Sequence, residues 1–291
     1  MCLAERANIF FIDINFYDTT FSVPFLMNKL FYKDDQMEAN RKKIIDLFMD
    51  NVKGKRPEVT GNRHHGSHGH WLEKQMGIKP NSSNSTDILG YEMKTDTTSK
   101  TSFGDWSPDK SLWGRYRSEP TIKKLNRDKE FLVAFGQANP NKNGRYSWSG
   151  MPVPKVKQFN RFGQKLIVTP GQDIQAIYSK SADMRINKSE IVPKELQKES
   201  LLIAQWTKAK IKPKLERKFN QNGWFKCILN ESGVFHEIVF GEPMSYENWL
   251  NLVREGHVFF DSGMYEGNRR PYAHWRASNN LWNELVVARY S

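Results

Sequence analysis

The sequence predicts a mixed α/β (α+β) protein, and three observations carry that reading. Apolar residues recur at helical spacing in several stretches. Other stretches are short runs of β-formers bounded by turn residues. Hydrophobic residues make up 38% and aromatics 13% of 291 residues, enough for a real core and too much for a disordered chain.

Taken in order, residues 8–32 are rich in Phe and Tyr and read as core or lobe interface. Over 36–52, Ile44, Ile45, Leu47, Phe48 and Val52 recur at helical spacing with Lys and Asp on the other side, so an amphipathic helix ends before KGKRPE. Residues 53–69 read as a glycine-rich polar loop, and 70–76 as a short helix with Gly77 as its C-cap and Pro80 beyond. NSSNST at 81–86 is a turn, and 87–95 a strand. Residues 96–125 are Ser, Thr and Trp rich and read as a surface excursion. EFLVAF (130–135) and KLIV (165–168) read as strands, with a turn signal in the NG of 139–150. Residues 193–218 suit a basic amphipathic helix that Pro213 breaks or kinks. Residues 225–229 and 234–240 form a hairpin, and 246–254 a helix ended by Gly256. The tail beyond it is basic and aromatic.

Lys plus Arg is 44 against 32 Asp plus Glu, a net charge of +12. That excess suits a polyanionic partner, nucleic acid first and an acidic membrane surface second, though an ordinary basic protein has it too. Cys2 and Cys227 form no CxxC pair, which argues against a zinc knuckle or a disulfide framework and fits the cytoplasm. The apolar run IFFIDINF is broken by Asp13 and preceded by Glu5 and Arg6, so it does not read as a signal peptide. No apolar stretch is long enough to span a bilayer.

The sharpest pattern is DILGYEMK, with Asp87, Glu92 and Lys94 in the form D-x4-E-x-K. On a strand, Glu92 and Lys94 share a face. Two carboxylates are hard oxygen donors of the kind Mg²⁺ takes, and a lysine beside the ion can hold an attacking water and offset charge on a phosphorane-like transition state. Alone, the pattern suits a solvated, charged strand edge better than a site.

Its context is G-x-x-G-H-W-L-E, from Gly66 to Glu73, then Met76-Gly77. Residues 61–95, GNRHHGSHGHWLEKQMGIKPNSSNSTDILGYEMKT, resemble the catalytic core of the PD-(D/E)XK nucleases. Within them they resemble the branch shared by the mismatch-repair nickase MutH and the restriction endonucleases MvaI and BcnI. The resemblance covers about 35 of the 291 residues. It implies a restriction-endonuclease-like core, a mixed central β-sheet flanked by helices, with a C-terminal DNA-recognition lobe forming a cleft. Residues 1–195 would be the catalytic lobe and 196–291 the recognition lobe. Asp87 and Glu92 would bind one or two Mg²⁺ ions, Lys94 would be the catalytic lysine, and Glu73 an accessory acid.

Four of the seven histidines fall in HHGSHGHWLE. His64, His65 and His68 lie on a glycine-rich loop, a poor frame for a closed four-ligand zinc site, and suit contact with backbone phosphate or solvent. His70 is a candidate DNA contact. By analogy with the recognition lobe, Asn268, Arg269, Arg270, His274 and Arg276 are candidate base readers, since Arg can bind guanine bidentately. A basic surface that only meets phosphate fits them equally. Lys208, Lys210, Lys212 and Lys214 suit phosphate contacts or solvated charge.

The resemblance therefore implies a Mg²⁺-dependent type II restriction endonuclease acting on double-stranded DNA as a monomer, leaving 5′-phosphate ends. By analogy the site is of CC-(central base)-GG type, and a cognate methyltransferase is the genetic partner. A MutH-like strand-nicking repair endonuclease, a non-catalytic DNA-binding module and, more distantly, a zinc-dependent binding protein remain as alternatives.

Overall fold

The computed structural model describes residues 23–57, 67–78, 85–97 and 99–291. Its helices are α1 (Val23–Asn51), α2 (Ser67–Gln75), α3 (Leu132–Phe135), α4 (Lys188–Ile191), α5 (Lys208–Phe219), α6 (Tyr246–Glu255) and α7 (Asn279–Glu284). Its strands are β1 (Glu92–Thr95), β2 (Lys100–Asp105), β3 (Lys110–Ser111), β4 (Gln137–Asn139), β5 (Arg145–Trp148), β6 (Phe162–Val168) and β7 (Ile174–Asp183). They continue with β8 (Leu201–Trp206), β9 (Trp224–Leu229), β10 (Phe235–Gly241), β11 (Val258–Ser262), β12 (Met264–Tyr265), β13 (Ala273–Ser278) and β14 (Val286–Tyr290). The chain divides into two units, Met1–Arg41 and Lys42–Ser291, and all of these strands, with every helix after α1, lie in the second.

One sheet has the order β1-β9-β10-β14. β1 runs parallel to β9, while β9–β10 and β10–β14 are antiparallel, so the sheet is mixed. Side chains alternate between its faces. Met93, Phe225, Cys227, Ile238 and Phe240 share one face and are all buried. Glu92, Lys94, Trp224 and Lys226 share the other. Helices flank both faces. α2 comes close to Thr95 at Gly69, where a Cβ would stand 3.3 Å from Thr95 Oγ1. On the opposite face, Phe219 of α5 lies under the Lys94 ammonium, 4.9 Å from the ring centroid.

Three antiparallel sheets complete the fold: β3-β8-β7-β6, β11-β13-β2 and β12-β5-β4. Strands from either side of residue 195 pair repeatedly: β1 with β9, β2 with β13, β3 with β8. Between the sheets lies a core dominated by tryptophan: Trp106, Trp148, Trp206, Trp224, Trp249, Trp275 and Trp282 are fully buried. Such rings bury large apolar areas and stack edge to face, as Trp206 does on Trp275 at 5.4 Å. Among the described residues, no helix is long and apolar enough to cross a membrane.

Several expectations hold: α1 buries Ile44 and Phe48, with Val52 buried just past its end at the same four-residue spacing, β9 and β10 form the hairpin, and α6 ends at Gly256 in the left-handed region. Four need correction. EFLVAF is helical, because Asn126 caps the preceding turn by accepting from the Asp128 and Lys129 N–H groups. That cap, with Asp128 and Glu130 in the first turn, outweighs the β propensity of a short apolar run. Residues 193–218 are not one helix. Leu201–Trp206 is the inner strand β8, and α5 starts only at Lys208, where Asp109 receives the Thr207 N–H and hydroxyl and Asp173 the Lys208 N–H. Pro213 sits inside α5 without ending it, because it and Ala209, whose carbonyl loses a partner, both have access to water. Residues 96–125 are not a surface excursion: Phe103, Trp106, Leu112, Ile122 and Leu125 are core residues.

The fourth correction shapes the site. The strand expected over 87–95 begins only at Glu92. Before it, Leu89 (φ 49) and Gly90 (φ 81) make a two-residue turn closed by the Tyr91 N–H to the Ile88 carbonyl at 2.8 Å. Two successive positive φ values define the tight primed turn, which glycine takes readily and leucine does not. Asn222 holds the turn in place, donating from Nδ2 to the Leu89 carbonyl at 2.8 Å and from its backbone N–H to the Gly90 carbonyl at 2.9 Å.

Candidate active site

The turn at Leu89–Gly90 folds Asp87 back along β1, where its Oδ2 accepts the Met93 N–H at 2.8 Å. Asp87 therefore arrives beside Glu92 by a turn and not along a strand. Glu92 is 2% exposed and Lys94 9%. Lys94 Nζ lies 2.9 Å from Glu92 Oε1. A second lysine reaches the same oxygen: Lys218, in the last turn of α5, at 2.7 Å. Glu92 Oε2 is buried and has no hydrogen-bond partner among the described residues. Beyond Lys94 the row continues with Asp96, paired at 2.7 Å with the buried Lys226, the register partner of Lys94 on β9.

The electrostatics follow from this packing. Burial pushes the Asp87 carboxyl up to about 6, and the Glu92 charge adds to that. Burial alone would raise Glu92 as well, but the Lys94 and Lys218 ammoniums hold it below the usual carboxylate range. Burial lowers Lys94, with Glu92 offsetting part of the effect. The set is thus a carboxylate pair and two ammoniums, with one carboxylate oxygen left over. An unpaired buried carboxylate oxygen carries a desolvation penalty, and a hard divalent cation would remove it. By that test Asp87 and Glu92 fit Mg²⁺.

The other expected residues fall as follows. Glu73 lies on α2, with Oε2 3.1 Å from Nδ1 of His70, which is exposed. No hydrogen bond joins Glu73 to Asp87, Glu92 or Lys94 among the described residues. His64 and His65 lie outside the described residues, and His68 is exposed on α2. Among the described residues, no group of three or more His, Cys, Asp or Glu is placed to hold a metal ion.

His274 and Arg276 alternate on β13 and share the outer face of the β11-β13-β2 sheet, whose inner face buries Phe260, Trp275 and Phe103. His274 Nδ1 is 3.0 Å from Ser102 Oγ. Arg276 Nε lies 2.8 Å from Asp261 Oδ2, and Lys100 Nζ reaches that oxygen at 2.7 Å. Arg269 and Arg270 are exposed in the loop before β13. The Asn268 side chain ties that loop, donating to the Gly263 carbonyl at 2.9 Å and accepting the Arg270 N–H at 3.0 Å. Sequence reasoning missed Lys218, Lys100 and Asp261. A signal existed for Lys218. It follows Leu215 by three residues, on the flank of the buried stripe Ile211–Leu215–Phe219, where a solvated lysine is out of place.

A mixed sheet flanked by helices thus carries a carboxylate pair and a lysine at its edge strand. The fold is similar to that of restriction endonuclease MvaI solved with its cognate DNA: TM-score 0.53 at 11% identity, over 87% of this chain and 97% of that one. The model of the LlaMI restriction endonuclease family matches residues 51–290, and the chain belongs to that family. It is also 45% identical over 270 residues to the type II restriction enzyme ScrFI of Lactococcus lactis subsp. cremoris, covering 86% of this chain and 98% of the relative. The chain is a type II restriction endonuclease, a site-specific deoxyribonuclease.

Proposed function

We propose that Asp87, Glu92 and Lys94 hydrolyse phosphodiester bonds of double-stranded DNA with Mg²⁺, at a short site of CC-(central base)-GG type, leaving 5′-phosphates. The observation that carries this reading is their convergence around a buried Glu92 whose Oε2 lacks a partner among the described residues. In this reading Asp87 and Glu92 hold the ion, one or two per site. The bound ion supplies Lewis-acid polarisation of the phosphate and a more acidic water. Lys94 holds the attacking water and offsets the charge that grows on the phosphate oxygens. Glu73 acts as an accessory acid from α2. The outer face of the β11-β13-β2 sheet, with His274 and Arg276, and the loop of Asn268, Arg269 and Arg270 read base edges; His70 meets the backbone. Expected lobes 1–195 and 196–291 enter as a division of labour around a cleft, since Lys218 from the second reaches Glu92 in the first. The enzyme acts in the cytoplasm as a monomer beside a cognate methyltransferase.

The test is a digest of unmethylated phage DNA at low salt, with Mg²⁺ in one tube and EDTA in the other. Discrete bands only with Mg²⁺ are expected, and sequencing their ends reads out the site and the cut. Smears, nicks or intact DNA with Mg²⁺ would sink the reading.

A further inference from the structure

We infer that Lys218 is a built-in counter-cation of Glu92, and that it holds down the free protein's affinity for a divalent ion. The inference rests on the reading of Asp87 and Glu92 as metal-binding carboxylates. Its starting point is a redundancy. Lys94 already places one ammonium 2.9 Å from Glu92 Oε1, which by count of charges completes an ion pair. Lys218 places a second at 2.7 Å from the same oxygen, with its side chain 19% exposed. Packing does not require a lysine there, since Ile211, Leu215 and Phe219 bury the inner side of α5.

In their ordinary charged forms, Asp87, Glu92, Lys94 and Lys218 sum to zero. Without Lys218 the set would carry one net negative charge in a buried setting, where charge is poorly screened. A divalent ion approaching Glu92 Oε2 thus meets a neutral cluster, with an ammonium on the other oxygen of the same carboxylate. Lys218 acts through Glu92 and is a positioning residue, not a catalytic one.

The experiment is a Mn²⁺ titration of the DNA-free protein, followed by the electron paramagnetic resonance signal of the free ion. It compares wild type with K218M, K218Q, K218R and D87N, each first shown to unfold cooperatively in EDTA. Removing a unit charge this close should tighten Mn²⁺ binding by K218M at least about tenfold. K218Q, polar but uncharged, should tighten it similarly, and serves alone if K218M does not fold. K218R should match wild type, and D87N should bind more weakly. Mn²⁺ binding that depends on Asp87 but is unchanged or weakened in K218M and K218Q overturns this inference alone, as does tighter binding by K218R. Binding by wild type no different from D87N overturns the metal-site reading, and this inference with it.

Discussion

Glu92 uses its two oxygens differently: Oε1 takes both lysines, while Oε2 is buried without a partner among the described residues. That asymmetry makes Lys94 and Asp87 the sharpest residues to change. Lys94→Ala and Asp87→Ala should each lower cleavage by about 10²–10³-fold or more, by analogy with the loss of one transition-state partner. Gel-shift affinity for the cognate duplex in EDTA should stay within a few-fold. An Asp87→Ala enzyme that cuts at the wild-type rate would sink the assignment. His274 offers a test by pH. Burial and the nearby Arg276 lower its pKa, so the folded protein holds it neutral. A base with a depressed folded pKa contributes stability above its unfolded value of about 6.5, and that contribution is lost as pH falls through the folded pKa. His274→Asn should therefore flatten the fall in thermal stability on acidification below that point, measured by melting from pH 7.5 to 5. An unchanged slope would show that His274 is not held neutral. At this scale the convergence of Asp87, Glu92 and Lys94 was legible because D-x4-E-x-K is a local pattern. For Lys218 only its place on the flank of a buried stripe was legible; its partner was not, because Glu92 lies 126 residues away.

Among the elements, the turn before β1 and the helix α5 position the site. A Cβ at Gly90 would meet Asn222 Nδ2 at 2.6 Å, and its φ of 81° disfavours any other residue. Gly90→Ala should destabilise by about 1–2 kcal/mol. It should also lower cleavage, since the turn aims Asp87. Denaturant melts and cleavage rates report the two effects separately, and wild-type cleavage would show that the turn does not set the carboxylate. In α5, Pro213 stands five residues past Lys208 and removes one helical hydrogen bond. Pro213→Ala should stabilise by about 1–3 kcal/mol, less what the unfolded chain gains in freedom. A urea melt decides it, and a loss of stability would mean that the proline is there for packing. The helical stretches of α1, α2 and α6 were readable from spacing and end signals. EFLVAF and LLIAQW were not, because a short, wholly apolar run has no period, and its partners are elsewhere in the chain.

For the whole molecule, strand pairing crosses residue 195. A fragment of residues 196–291 leaves β9 without β1, β13 without β2 and β8 without β3. It should give no cooperative thermal transition when expressed alone, and a sharp melt would show that residues 196–291 fold by themselves. The mixed α/β class was legible from the alternation of helical and strand patterns. The pairing of strands across half the chain was not, since register between distant segments leaves no local mark.

The edge position of β1 has a consequence for synthesis. Asp87, Glu92 and Lys94 leave the ribosome early, but the lysine on Glu92 and the strand beside β1 come from α5 and β9. A nascent or prematurely ended chain carries Asp87, Glu92 and Lys94 without the sheet that organises them. The same late segment precedes the β11–β13 region, so the two candidate surfaces are completed in close succession. For a site-specific deoxyribonuclease, that order of assembly ties completion of the acidic cluster to the last third of the chain.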